Sequence, residues 1–422
     1  MLKRHRSNAR ADRLIGALDI GTSKVCCLIM AGDAPEQMRL IGFGHHRTQG
    51  IKAGVVLDPE QVERSVRAAV AQAERMAGVT LTRVFITVTC GRLKSANFVA
   101  RATLADGVVG RGDIVRVQAA AEAFIGRSGR TIIQLVHGGW RLDGLGGARD
   151  PLGMAGSELS LPVHAVTTDE PPLRNLLHVV ERCYLETEGI IAAPFASALA
   201  ATTEEERQQG VLSIDLGGGT TTLAMFTEGQ FVYADSGPVG GSHISYDIAR
   251  ALATPLAQAE RIKTLYGTLV PAVSDEREVI SFPGPDETEG AAYETTKARL
   301  SAVIEARAEA IFGLVAEKVA QSRLEHVAAG RVVLTGGASQ LVGLAEWWSS
   351  RSGVAARIGR PRPVGGMPAN MCSPAFAAAT GLVLAAVSPH SGIGAGLAAG
   401  SERSASGEGY LGRLRGWVRE SF

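Results

Sequence analysis

Leu18-Asp19-Ile20-Gly21-Thr22-Ser23-Lys24 near the start of the chain and Ile214-Asp215-Leu216-Gly217-Gly218-Gly219-Thr220 in its middle are one pattern written twice. In each copy an aspartate closes an apolar run that reads as a buried strand. The glycines after it let backbone approach something bulky with no Cβ in the way. Hydroxyls follow both times. A carboxylate beside a Gly-Thr turn suits a magnesium-phosphate group: the acid faces the ion, often through water, and turn N–H groups face phosphate oxygens. One copy is weak evidence, because strand-turn-strand units with Asp and Gly are common. Two copies imply two facing phosphate loops.

The flanks repeat as well. Leu14 to Asp19, Val25 to Met30 and Met38 to Phe43 read as three successive strands; so do Val211 to Asp215, Thr221 to Phe226 and Phe231 to Ala234. The repeat predicts two related α/β lobes with a ligand between them, where domain interfaces commonly place one. The chain has 422 residues, 45% hydrophobic and 20% charged, with a formal net charge of +1, enough for two or more domains. So even a charge balance argues against a general nucleic-acid binder, which needs a basic surface. Five cysteines without C-x-x-C spacing read as reduced and mostly buried, hence cytosolic.

Asp58-Pro59 opens a helix with Val62, Val66, Ala69, Val70, Ala73 and Met76 as its apolar stripe. Beyond a strand from Val84 to Thr89 the texture changes to short strands, one helix from Asp113 to Phe124 and a Gly-rich stretch, a small α+β insert. Pro171-Pro172 opens another helix. Ile190 to Thr202 reads as a small-residue helix able to pack closely on another backbone. The stretch from Tyr233 to Leu324 reads as helical, with a loop at Ser281 to Pro285. Arg331 to Thr335 reads as a strand with a helix from Ser339. The apolar run Ala375 to Val387 is short for a membrane span and reads as a buried helix.

Val332-Val333-Leu334-Thr335-Gly336-Gly337-Ala338-Ser339 adds a third signal. Alone it is an ordinary strand-to-helix turn. Downstream of two phosphate motifs, its bare glycines suit a nucleoside lying against backbone. With Pro194-Phe195-Ala196-Ser197, Asp150-Pro151-Leu152-Gly153-Met154, Gly241-x-His243-Ile244 and Ala259-Glu260-x-Ile262-Lys263, this order resembles the actin/heat-shock-chaperone/sugar-kinase superfamily, and within it the bacterial cell-division family FtsA. The resemblance implies an actin-like two-lobed ATPase fold with the family's subdomain IC insert. It implies a disordered basic tail over 1–13, subdomain IA over 14–84 and 166–204, IC over 85–165, IIA over 205–235 and 329–366, IIB over 236–328, a return helix to IA over 367–387, a flexible linker over 388–409 and an amphipathic membrane-targeting helix over 410–422.

The same resemblance implies roles. ATP phosphates would meet Gly21, Thr22, Ser23 and Lys24 on one side and Gly217, Gly218, Gly219 and Thr220 on the other. Asp19 and Asp215 would face Mg²⁺ through water. Glu260, Lys263, Gly336, Gly337 and Ser339 would lie near the adenosine, although Glu260 and Lys263 by spacing alone make a surface i,i+3 ion pair. Lys297, Arg299 and Arg307 fall on a helix that in the family helps bind the C-terminal peptide of FtsZ; by residue type alone they are a solvated helix face. Relatives of the chaperone and MreB types carry a Glu before the proline of the connecting helix, and Ala193 stands there instead. Tight ATP binding with at most slow hydrolysis follows, since a carboxylate that orients water contributes about 10²–10⁴ in rate.

The last residues carry their own signal. Leu411, Leu414, Trp417 and Val418 share one helical face, Arg415 and Arg419 lie off it, and Phe422 ends the chain. A basic amphipathic segment with Trp suits an anionic membrane surface better than a core, the more so behind a Gly/Ser/Ala stretch. The implied role is an anchor at the cytoplasmic face of the inner membrane at the division site: the protein polymerises with itself, holds FtsZ filaments and recruits later divisome proteins through the insert. A small-molecule kinase would need a sugar-binding cleft set that is not evident. A PilM-like pilus-assembly module would lack the terminal segment, and an MreB-like filament would lack the insert.

Overall fold

The computed structural model describes residues 13–32, 37–126, 130–148, 150–284 and 292–387. It begins with β1 (Leu14–Ile20), β2 (Lys24–Ala31) and β3 (Arg39–Arg47), an antiparallel meander in which Asp19 pairs with Cys26 and Ile20 with Val25. A two-residue ladder joins β4 (Ile51–Lys52) to β5 (Val55–Val56). The next helix, α1 (Pro59–Ala77), starts where Asp58 accepts the Gln61 N–H at 3.1 Å and stops at Gly78 in the left-handed conformation. Its predicted stripe is buried from Val62 to Ala73, but Met76 is 59% exposed. In the last turn it is Ala77 that meets the sheet, at Gly42.

A parallel strand, β6 (Arg83–Val88), then pairs with β1, so the expected insert boundary at residue 85 falls inside a strand of the first sheet. The insert itself carries β7 (Lys94–Thr103), α2 (Arg111–Gly126), β8 (Thr131–His137), β9 (Trp140–Leu142), β10 (Leu145–Ala148) and β11 (Glu158–Thr168). Strand β11 pairs with β7, β8 and β9 and runs past residue 165, the expected far boundary. The chain returns through α3 (Glu170–Arg182) to β12 (Glu186–Ala192), which completes a sheet in the order β12-β6-β1-β2-β3. The stretch predicted as one helix from Ile190 is therefore divided. Residues 190–192 end β12, whose β-branched isoleucines pair with β6, and α4 (Ala193–Ala201) begins at the Pro194 turn.

After α5 (Glu204–Gln209) the first pattern recurs: β13 (Val211–Leu216), β14 (Thr221–Thr227) and β15 (Gln230–Gly237) form a second meander. Helices α6 (Gly241–Leu252) and α7 (Leu256–Tyr266) follow. The loop expected at Ser281 to Pro285 is instead partly strand: β16 (Val279–Pro283) pairs with β17 (Ala292–Thr296) and leads into the long α8 (Lys297–Ser322). Proline is tolerated at Pro283 because it ends an edge strand. Short α9 (Glu325–Ala328) precedes β18 (Val332–Thr335), which pairs in parallel with β13. A 3₁₀ turn over Gly337–Gln340 stands where a helix from Ser339 was expected. The helix α10 (Leu344–Ser352) starts only after Gly343, whose φ of 78° breaks the turn. With β19 (Ala356–Ile358) the second sheet has the order β15-β14-β13-β18-β19, strand for strand the topology of the first.

The last helix, α11 (Ala377–Val387), is buried along most of its length and crosses α4 at contact distance. A Cβ on Gly381 would stand 1.6 Å from the Ala196 carbonyl oxygen, so the small residues predicted to allow close packing do so here. Among the described residues no helix is long and apolar enough to cross a membrane. The segment 410–422, with Leu411, Leu414, Arg415, Trp417, Val418, Arg419 and Phe422, lies outside the described residues, as do the linker 388–409 and residues 1–12.

Candidate functional site

Both β-hairpins bring their aspartate-glycine turns to one seam between the sheets. A Cβ on Gly219 would lie 2.6 Å from Thr22 Cγ2, and one on Gly218 would lie 2.9 Å from Ser23 Cβ. Each turn closes on itself in the same way: the Gly21 N–H donates to the Lys24 carbonyl at 3.0 Å, and the Gly217 N–H to the Thr220 carbonyl at 2.9 Å. Gly240 and Gly241 close the second turn from behind, with the Gly241 N–H on the Gly217 carbonyl and the Ser242 N–H on that of Gly218. Gly336, at φ 84°, admits the second strand end: a Cβ there would meet the Asp215 carboxylate at 2.2 Å and the Leu216 carbonyl at 2.6 Å.

Asp19 and Asp215 end equivalent strands and feel each other across the seam. Burial, aided by repulsion from Asp19, lifts the Asp215 carboxyl to about 6, against the pull of Ser197 and Lys24. Burial likewise raises Asp19, opposed by the Thr87 hydroxyl, which donates at 2.5 Å, and by Lys24. The Lys24 ammonium is pushed down by its own burial; it donates to the Ala375 carbonyl and sits 3.5 Å from the centre of the Phe376 ring. A pair of inward carboxylates that repel each other, one cation, and a double row of bare backbone turns together fit a bound cation-phosphate group. Among the described residues no three acidic, histidine or cysteine side chains gather into a metal cage. Mg²⁺ here would therefore depend on phosphate oxygens and water for most of its ligands.

The residues expected near a nucleoside converge from three elements. Lys263 holds Glu260 at 2.7 Å, so the spacing-based ion pair exists. The same ammonium also donates to Ser245 Oγ at 2.8 Å and to the Gly241 carbonyl at 3.1 Å, and Ser245 Oγ bonds Glu260. This knot ties α7 to the first turn of α6, beside the Gly336 turn, since a Cβ on Gly241 would lie 2.6 Å from that of Ala338. Gly337 is exposed. Ser339 is fully buried and gives its hydroxyl to the Gly336 carbonyl at 2.8 Å, so it braces the turn. Thr87, Ser197, Ser245 and the pair Gly240-Gly241 are site residues that sequence reasoning did not assign. Ser197 and Gly241 fall within the quoted stretches Pro194–Ser197 and Gly241-x-His243, whereas Thr87, Ser245 and Gly240 lie in no motif quoted above.

The cations of α8 divide. Arg307 makes a two-pronged pair with Asp247 of α6 at 2.5 and 3.0 Å, and Arg299 reaches the Ala251 carbonyl at 3.4 Å. Lys297 turns to the other side, where Asp275 and Glu278 hold it at 3.2 and 3.1 Å.

Two topologically matching sheets, each sending an Asp-Gly hairpin to a common seam, with an α+β insert on the first, define an actin-like fold. Solved structures agree on that fold. The chain superposes on the PilM-PilN type IV pilus biogenesis complex with a TM-score of 0.62 at 18% identity, covering 89% of this chain and 99% of that one. It superposes on MreB5 of Spiroplasma citri bound to ADP with a TM-score of 0.51 at 16% identity, covering 88% and 94%. A family model described as "Cell division protein FtsA" matches residues 212–381, and one described as "SHS2 domain inserted in FTSA" matches 90–167. Proteins named Cell division protein FtsA share 37% identity in Rhizobium meliloti over 98% of this chain and 96% of the relative, and 32% in Pseudomonas aeruginosa over 99% and 100%. The chain belongs to the FtsA family of cell-division proteins.

Proposed function

We propose that this chain binds Mg²⁺-ATP between its two hairpin turns, polymerises in that state on the cytoplasmic face of the membrane, and tethers FtsZ filaments there. The observation that carries the reading is the glycine-lined seam. Gly218 and Gly219 pack on Ser23 and Thr22, so bare backbone of the second turn meets the first turn at this seam, where a phosphate chain would lie between them. Phosphate oxygens would take the turn N–H groups of Gly21–Lys24 and Gly217–Thr220. The ion would relieve the repulsion between Asp19 and Asp215. Glu260, Lys263 and the Gly336-Gly337 turn would flank the adenosine. Binding free energy then stabilises the closed arrangement of lobes.

Hydrolysis would be slow, because Ala193 at the start of α4 is a buried methyl with nothing to orient water. The FtsZ C-terminal peptide would dock on the α6–α8 side, where Arg299 and Arg307 face the same neighbour. An acidic peptide would compete with Asp247 for Arg307. The terminal segment 410–422 would lie in the bilayer surface, and the insert would receive later division proteins. Vesicle pelleting with and without Mg²⁺-ATP and an FtsZ tail peptide tests these parts together: ATP should increase pelleting of the chain, and the peptide should co-pellet. Pelleting indifferent to ATP would remove the cleft from the account.

A further inference from the structure

Register lays a polar row across the seam end of each sheet. In the second sheet Asp215 of β13 pairs with Thr335 of β18 on one side and with Thr222 of β14 on the other, and Thr222 pairs with Ser236 of β15. Paired residues share a face, so all four side chains stand on one side of the sheet. That side is the one α4 covers. Phe226, four residues along β14 from Thr222, stacks on Phe195 of α4 at 5.9 Å, and the Ser197 hydroxyl of α4 reaches Asp215. The first sheet repeats the row: Thr87 of β6 donates to Asp19 of β1, Asp19 pairs with Cys26 of β2, and Cys26 with His45 of β3. Thr222 and Cys26 thus occupy equivalent places beside equivalent aspartates. The rows differ in how their hydroxyls are used. Thr87 gives its proton to Asp19, whereas Thr335 gives its own to the Gly359 carbonyl at 3.0 Å. Ser236 accepts the Leu93 N–H at 3.1 Å. Thr222 is 2% exposed, and its Oγ1 has no hydrogen-bond partner among the described residues. Ser213 Oγ, one pleat further from the turn on the same face as Asp215, is likewise unpartnered among them.

We infer that Thr222 is a positioning residue for the divalent ion: its hydroxyl holds a water of the Mg²⁺ shell on the Asp215 side, so the ion is seated unequally between the two aspartates. The inference deepens the reading of the cleft as a Mg²⁺-nucleotide site and rests on it. Three features select this role. First, a buried hydroxyl with no partner costs stability, and beside a carboxylate that cost is recovered when a ligand supplies the partner. Second, Asp215 and Thr222 are directly opposed across an antiparallel pair, where Cβ atoms lie about 5 Å apart, close enough for one water to touch both side chains. Third, no cage of three acidic, histidine or cysteine side chains exists among the described residues, so the ion's shell is mostly phosphate oxygen and water, and those waters need protein partners. A hydroxyl can accept from such a water and donate elsewhere. The Cys26 thiol, a weak donor and weak acceptor, cannot do the same for Asp19. That contrast sets the ion's orienting contacts on the second lobe, while Thr87 already satisfies Asp19 on the first.

The test compares Thr222→Val, which keeps the shape and removes the hydroxyl, with Thr222→Ser, which keeps the hydroxyl. Binding of a fluorescent ATP analogue to the full chain is followed over a Mg²⁺ series and in EDTA, and each nucleotide-free protein is melted. Without nucleotide the valine protein should melt no lower than the parent, because the group it loses bonds nothing there. It should need about tenfold more Mg²⁺ to reach half of the metal-dependent gain in nucleotide affinity, the usual scale for groups that orient a metal's inner ligands. Thr222→Ser should restore most of the difference, and metal-free affinity should change less. An unchanged Mg²⁺ requirement in the valine protein overturns the inference. So does an equal loss of affinity in EDTA, which would make Thr222 a packing residue. Thr222→Ala serves if the valine protein does not fold. A parent that binds no nucleotide, or gains nothing from Mg²⁺, overturns the cleft reading and this inference with it. A parent that responds to Mg²⁺ beside a valine protein that responds equally removes Thr222 alone.

Discussion

Asp215 is the residue at which the structure adds most to the sequence. Its place at a strand end and its glycine neighbours are legible from the pattern Asp-x-Gly. The proximity of Asp19, the burial and the Ser197 hydroxyl are not, because they come from sheets and helices far apart in the chain. Its carboxyl is raised from 3.8 to about 6. A carboxylate raised in the fold favours the folded state most at pH below 3.8, and that advantage is lost as pH climbs through about 6. At pH 7.5 the ionised group therefore opposes folding, by about 1–3 kcal/mol at roughly 1.4 kcal/mol per tenfold change in proton affinity. Asp215→Asn should raise the melting temperature of the nucleotide-free protein at pH 7.5, raise it much less at pH 4, and lose the stabilisation that Mg²⁺-ATP gives the parent. Melts of both proteins at the two pH values, with and without Mg²⁺-ATP, check this; equal shifts at both pH values would refute the assignment. Gly336→Ala is the steric counterpart. Its Cβ has 2.2 Å to the Asp215 carboxylate and a left-handed backbone to satisfy, so it should cost several kcal/mol, read as a lowered denaturant midpoint.

At the scale of elements, strands with a strict pattern and helices with caps were readable, as β1, β13 and α1 with Asp58 and Gly78 demonstrate. What failed was local signal overruled by tertiary pairing. Pro283 and Gly284 read as a loop, yet β17 recruits residues 279–283 into a hairpin. Ile190 to Ala192 read as helix with the alanines after them, yet β6 claims them. Met76 fits the helical period but has no sheet beneath it. The candidate peptide face shows the same limit: the order of Lys297, Arg299 and Arg307 was visible, but not that Asp247 occupies Arg307 or that Lys297 faces away. That geometry yields a paired prediction. Arg307→Glu should weaken FtsZ tail-peptide binding at least tenfold, whereas Asp247→Asn, which releases Arg307, should tighten it severalfold. Fluorescence anisotropy of a labelled peptide measures both, and an Asp247→Asn protein that binds more weakly would place the peptide elsewhere. The α4–α11 crossing is a second element-scale case. Gly381→Val would drive a side chain into the Ala196 backbone, and a strongly destabilised or insoluble product is expected, judged by urea unfolding against a Gly313→Ala control in open space.

For the molecule as a whole, the duplication that opens the sequence becomes two sheets of one topology whose loops meet, and the site is a property of their relative position. Among the described residues, Asp19, Asp215 and Lys24 are ionisable groups that burial perturbs where the lobes face each other. On the proposed reading, closing the cleft on Mg²⁺-ATP is the step that should couple to assembly, and Ala193 should make that state long-lived. The prediction is kinetic. Ala193→Glu, which restores a carboxylate before Pro194, should speed phosphate release by about tenfold or more if water can reach the γ-phosphate, and should shorten filament lifetime in proportion. Ala193 is only 3% exposed, so the longer side chain must extend into the seam, and ATP affinity has to be measured alongside. Faster release with retained affinity and shorter-lived polymers would support a cleft that works as an assembly clamp. Faster release with unchanged polymers would separate nucleotide turnover from assembly, and the clamp would have to be abandoned.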